Sequence, residues 1–164
     1  MKSPIQPIHT PPQSVTAPST QILIPHTMNT NLLPPDDSSP QRQAVLAWLQ
    51  ALDAQDAGRA EALLGPRFEH ATLSHAETKT AGKEEYMGRV RGHVDGTARR
   101  ETRIQDMCEG IDKEKVWVHT ISDATTNKGD EERREAVWMF RVEVSNRGEA
   151  KIASIKELPL QGKA

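Results

Sequence analysis

From residue 41 onward the apolar positions recur first at helical and then at strand spacing. Val45, Trp48, Leu49 and Leu52 fall at i, i+3, i+4 and i+7, with Gln41, Arg42, Gln50 and Asp53 opposite. This predicts an amphipathic helix from Gln41 to about Gln55. Ser39 is placed to cap it, and Pro40 takes the first helical position, where a missing N–H costs nothing. A shorter helix follows, with Asp56 as cap, Ala60, Leu63 and Leu64 on its apolar side, and Gly65-Pro66 as its stop. Arg67 to Ser74 alternates enough to predict a short strand carrying Phe68, His70, Ala71 and Leu73. Polar residues from His75 to Ala81 predict a loop. A third helix opens within Thr80 to Glu85, where acids suit the positive end of the helix dipole. Tyr86, Val90 and His93 form one side of it, Met87 and Val94 lie beside them, and Gly96 ends it.

The remainder has a period of two. Four strands are predicted, Glu101 to Glu109, Lys115 to Thr125, Arg134 to Val144 and Lys151 to Leu158, separated by turn residues around Gly110, Gly129 and Gly148. Connections this short require antiparallel pairing. In the central strand Val116, Val118, Thr120 and Ser122 share one face, and Trp117, His119, Ile121 and Asp123 the other. If the second face lines a cavity, His119 and Asp123 are its polar groups; if it meets water, they are surface residues. In the next strand Trp138, Phe140, Val142 and Val144 form the more apolar face, which is expected to be buried. The predicted fold is α+β: three N-terminal helices on a strongly curved, mainly antiparallel sheet, shaped as a cone with an open mouth.

Composition narrows the classes. The chain has 164 residues and a net charge of −2, which fits one ordered domain and offers no basic stripe for phosphates. No nucleic-acid partner is expected, and the cluster Arg99, Arg100 and Arg103 reads as a solvated strand edge. Cys108, the single cysteine, excludes an intrachain disulfide and is expected to pack as a small hydrophobe. No apolar run is long enough to span a bilayer, so no membrane partner is expected. Nor does the start resemble a signal peptide, which makes the cytoplasm the expected location. Nine of the eleven prolines lie in residues 1–40, a composition that predicts a disordered arm before a domain at 41–160 and a short tail at 161–164. Met28 offers an alternative start, in which case part of the arm is dispensable. His70 and His75 have opposite strand parity and no cysteine or acidic cluster beside them, so no metal site is predicted. Phosphate loops, nucleophile elbows and Cys-His pairs are absent from the sequence.

The order of elements resembles the nuclear transport factor 2-like superfamily, and within it the SnoaL-like domains frequent in fungi. The resemblance covers about Gln41 to Leu160. It rests on Phe68-Glu69-His70 with Leu73, Gly82-Lys83-Glu84-Glu85-Tyr86 opening the third helix, Val116 to Ser122, and Lys151-Ile152 through Ile155-Lys156-Glu157. It implies a cavity between sheet and helices, a small apolar ligand and homodimers through the open sheet face. The fold hosts isomerases, dehydratases, cyclases, hydrolases and non-catalytic modules, so it does not choose among them. Where many relatives end in an acidic-aromatic-small-acidic run, this chain has Glu157-Leu158-Pro159-Leu160, which removes a second terminal carboxylate.

Desolvated carboxylates and imidazoles move protons near neutral pH. The catalytic candidates are His70 or His119 as general base, with Tyr86 or Asp123 holding the partner group, in an isomerisation, dehydration or aldol-type cyclisation without a cofactor. Trp117, Trp138, Phe140, Met107 and Glu157 are the candidates for contacting substrate. The alternative is a non-catalytic ligand-binding or dimerisation module, favoured if Trp117, Trp138, Met107 and Phe140 fill the cavity.

Overall fold

The computed structural model describes residues 39–74 and 77–160. The expectations for the proline-rich arm, Met28, His75 and the tail lie outside the described residues. Helix α1 (Pro40–Asp53) begins as its sequence dictates, with the Ser39 side chain accepting the Arg42 N–H at 3.1 Å. Its apolar stripe is buried at Val45, Trp48, Leu49 and Leu52. Helix α2 (Ala57–Ala62) is capped by Asp56, whose carboxylate accepts the Arg59 N–H at 2.8 Å. It stops earlier than predicted, because Leu64, Gly65 and Pro66 already belong to strand β1 (Leu64–Leu73).

The predicted loop before the third helix is corrected. Thr78–Gly82 forms strand β2, antiparallel to β1 with Ala81 opposite His70 and Thr80 opposite Ala71. Pairing with a neighbouring strand overrides its weak local pattern. Helix α3 (Lys83–Gly96) therefore starts at Lys83, keeps Glu84 and Glu85 in its first turn, and buries Tyr86 and Met87.

Strands β3 (Thr97–Glu109), β4 (Lys115–Thr126), β5 (Glu131–Val144) and β6 (Ala150–Leu160) make the antiparallel meander. Gly129 and Gly148 sit in its tight turns at φ of 88° and 80°, a region glycine enters without steric cost. Strand β1 then joins β6 in parallel, giving six strands in the order β2-β1-β6-β5-β4-β3. Register breaks at Thr97/Arg99, Ile104/Asp106, Arg141/Val142 and Leu64/Glu69 bend the sheet, as bulges do. The result is a curved, mixed sheet with the helices on one face.

The core lies between that face and the helices. Trp48 meets Trp138 edge-on at 5.9 Å and Phe140 at 5.5 Å between ring centroids. The Trp138 indole N–H donates to Thr120 Oγ1 at 2.8 Å, so a buried polar atom on each side is satisfied. Trp138, Phe140 and Val142 are buried as expected, whereas Val144 at the strand end is exposed.

Candidate functional site

The helix-covered face of β4 is Val116, Val118, Thr120 and Ser122, all buried. Trp117, His119, Ile121 and Asp123 thus point to the opposite, outer face, so of the two alternatives for this face the structure takes the surface one, and His119 and Asp123 do not join the inner cluster. Thr120 and Ser122 enter the interior because each finds a partner there: the Trp138 indole for the first, Thr102 Oγ1 at 3.1 Å for the second. On the outer face His119 meets Glu135 at 2.8 Å, Asp123 pairs with Arg103, and Trp117 is 43% exposed. Cys108, opposite Trp117, is exposed rather than packed as a hydrophobe. A shallow outer-face hollow of about 220 Å³ is lined by Asp106, Cys108, Trp117, His119 and Val137, with the Val118 backbone position behind them. Another hollow, of about 380 Å³, lies at β2, β1, β6 and the start of α3, lined among others by Glu69, His70, Ala71, Ala81, Glu85 and Lys156.

The remaining candidates converge on the inner face. His70 comes from β1, between Ala81 of β2 and Ile155 of β6, and is 3% exposed. Tyr86, from the first turns of α3, lies on it with ring centroids 4.5 Å apart and planes at 25°. Glu157 of β6, also buried, faces it with Oε2 at 3.5 Å from Nε2. Trp138 is the cross-strand neighbour of Glu157, Phe140 fills the core beyond it, and Met107 packs half-buried at the margin. His70, Tyr86 and Glu157 therefore come together, while His119 and Asp123 lie across the sheet from them.

Neither ring nitrogen of His70 has a hydrogen-bond partner, although both are buried. The 3.5 Å gap to Glu157 admits no bridging water, yet a shift of about half an ångström would close a charge-assisted bond. Glu157 also takes a salt bridge from Arg134 of β5, whose guanidinium reaches over the Trp138 ring at 5.9 Å. Burial first, and the Glu157 carboxylate second, push the Tyr86 hydroxyl well above the ordinary phenol range. Tyr86 therefore stays a proton-bearing donor at neutral pH.

A second polar group adjoins this cluster, and it corrects the reading of Arg99, Arg100 and Arg103 as one solvated edge. Arg99 is exposed, but the Arg100 side chain is only 11% exposed and turns inward. It lies 3.5 Å from Asp53, at the end of α1, and near Thr102 and Ser122. Asp53 accepts the Thr102 N–H at 2.9 Å and its hydroxyl at 2.6 Å. Burial raises the Asp53 carboxyl, offset in part by its hydrogen bonds from Thr102 and then by Arg100, and lowers the Arg100 guanidinium, offset in part by Asp53. His93, an exposed residue near the end of α3, is pushed down by partial desolvation on its inner side and then by the cation of Arg100. Nothing in the local sequence marked Arg100; its phase in β3 depends on the break between Thr97 and Arg99.

A curved mixed sheet carrying helices on one face, with an inward His, Glu and Tyr, defines an α+β cone of the nuclear transport factor 2-like fold. No family model matches the sequence, and no curated protein matches it. Among solved structures the chain is similar to AusH from Aspergillus nidulans, at 13% identity and a TM-score of 0.65, over 80% of this chain and 89% of that one. It is similar to PrhC from Penicillium brasilianum at 12% identity and 0.61, over 74% and 83%. A ketosteroid isomerase-like protein from Erwinia carotovora gives 13% and 0.57, over 74% and 95%. At such identities the likeness shows the fold.

Proposed function

We propose that the chain is a cofactor-free acid–base enzyme acting on a small, largely apolar molecule, with its reacting groups in the His70, Glu157 and Tyr86 cluster. One observation carries this: an imidazole held out of water with both nitrogens unbonded, 3.5 Å from a carboxylate. Buried polar atoms are nearly always paired, and an unpaired imidazole beside a carboxylate is a cost for which a catalytic role is one explanation. In this reading His70 accepts a proton from a carbon next to a carbonyl. Glu157 stabilises the imidazolium that forms, and the Tyr86 hydroxyl donates to the oxygen on which charge develops. Returning the proton to a different carbon isomerises the substrate; passing it instead to a hydroxyl on the β-carbon, which leaves as water as the C–O bond breaks and the C=C bond forms, dehydrates it.

The ketosteroid isomerase-like neighbour agrees with this chemistry without specifying a substrate. The test is exchange of the α-protons of 2-tetralone into deuterium oxide, followed by proton NMR. Wild type should accelerate exchange, and His70→Gln should remove the acceleration while the chain stays folded. Equal exchange by wild type and His70→Gln would dismiss His70 as the base. Absence of exchange by wild type would favour the second reading, a non-catalytic binding module. That reading draws support from Trp48, Trp138 and Phe140, which occupy the middle of the core.

The outer sheet face supports a homodimer in this reading. Trp117 and Leu158 are exposed there, with Ile121, Val137 and Met139 half-buried beside them. Trp117→Asp should yield a monomer by light scattering; an unchanged mass would remove this face as the interface. A cytosolic setting fits the exposed, unpaired Cys108, which reducing conditions preserve; recovery of the protein in a secreted fraction would contradict it.

A further inference from the structure

Arg100 is set apart among the ion-paired arginines of the described residues. Its side chain is 11% exposed, whereas those of Arg89, Arg91, Arg99, Arg103, Arg133, Arg134 and Arg141 are 40–78% exposed. A guanidinium taken out of water needs short, charge-assisted bonds, commonly about 2.7–2.9 Å, to offset desolvation. Arg100 has none. Its Nε lies 3.4 Å from Thr102 Oγ1 and 3.5 Å from Asp53 Oδ1, and Nη2 lies 3.4 Å from Ser122 Oγ.

The nearby acids meet Arg100 only at long range. Asp53 directs its short bonds to Thr102, and Glu157 is engaged by Arg134 and faces His70. Arg134 is the cross-strand partner of Ser122, which Arg100 touches, and this second guanidinium disfavours the charge of Arg100. Because Arg134 is 55% exposed, this end of the site reaches solvent. Two like charges, one of them nearly dry and weakly bonded, form a pair that a third, negative group would relieve.

We propose that Arg100, assisted by Arg134, binds the carboxylate head of an otherwise apolar small molecule. The planar fork of Arg100 donates to both carboxylate oxygens, and the half-exposed Arg134 donates to the same group. The substrate class is thereby narrowed to apolar organic acids. The inference rests on the proposed acid–base cluster for where the reacting carbon lies, and on the arginines alone for binding.

Titration calorimetry of the full chain with 2-naphthoate and its neutral isostere 2-naphthamide tests it. The carboxylate should bind at least tenfold more tightly than the amide. Arg134→Gln, at a half-exposed position, should reduce that ratio about threefold, and Arg100→Met should abolish it. Equal affinity of wild type for the two probes, or no binding of naphthoate, would overturn the proposal whatever the variants do. So would an unchanged ratio in Arg134→Gln, or in an Arg100→Met variant that folds. A naphthoate preference without any tetralone exchange would sustain the carboxylate site while the catalytic reading falls.

Discussion

Replacing His70 with leucine should make the protein more stable, which is the reverse of what a buried core substitution ordinarily does. Both ring nitrogens are buried without a hydrogen bond, and leaving such a group unsatisfied costs about 1–3 kcal/mol. Two of them, one partly compensated by Glu157 at 3.5 Å, place the relief at about 2–4 kcal/mol. Against this stand the lost stacking on Tyr86, worth about 1 kcal/mol, and an imperfect fit of similar volume, about 1 kcal/mol more. The net expectation is a gain of about 1 kcal/mol, or roughly 3–5 °C in Tm for a domain of this size. Urea unfolding followed by tryptophan fluorescence is suited to this, since Trp48 and Trp138 are buried in the core. The midpoint should rise with an unchanged slope. A loss of more than about 1 kcal/mol would mean that His70 is a satisfied structural residue, and the main support for its role as base would be gone.

Other outcomes follow from the polar group beside it. Asp53→Ala removes two hydrogen bonds to Thr102 and strips Arg100 of its carboxylate, and should cost about 3–5 kcal/mol as buried pairs do when one partner is lost; a cost below about 1 kcal/mol, by the same urea assay, would show Arg100 well solvated. His93 is held below its ordinary value of 6.5 by partial desolvation and by Arg100, with Glu132 opposing and Arg134 adding to the effect. The unfolded chain therefore takes up this proton first, and the His93 contribution to stability is lost as pH falls from 6.5 through the lower folded value. His93→Gln should flatten the urea midpoint against pH over that window; a profile as steep as that of wild type would exclude His93 as a source.

The helices and hairpins were legible because their signals are local. The stripe of Val45, Trp48, Leu49 and Leu52, the Ser39 and Asp56 caps, and the turns at Gly129 and Gly148 all appear where the residues place them. Strand β2 was not legible, since Thr78 to Gly82 has no alternation and precedes the acids of a helix start; its existence depends on β1 across from it.

The site was half legible, and the reason lies in phase. His70, Tyr86 and Glu157 were identified by type, and the pairing that runs regularly from Glu69 to Thr72 carries His70 inward opposite Ala81 and Ile155. For β4 the alternation was plain, but which face is buried was decided by partners on other strands. Thr120 and Ser122 are tolerated inside because Trp138 and Thr102 satisfy them, so the larger Trp117 and Ile121 are left outside. In β3 the breaks at Thr97/Arg99 and Ile104/Asp106 each reset which side chains face the helices. A period-two count run through those breaks fails at Arg100, and with it at the buried cation from which the carboxylate site is inferred. Where a strand carries bulges, the residue that disobeys the alternation is therefore the one to inspect first for chemistry.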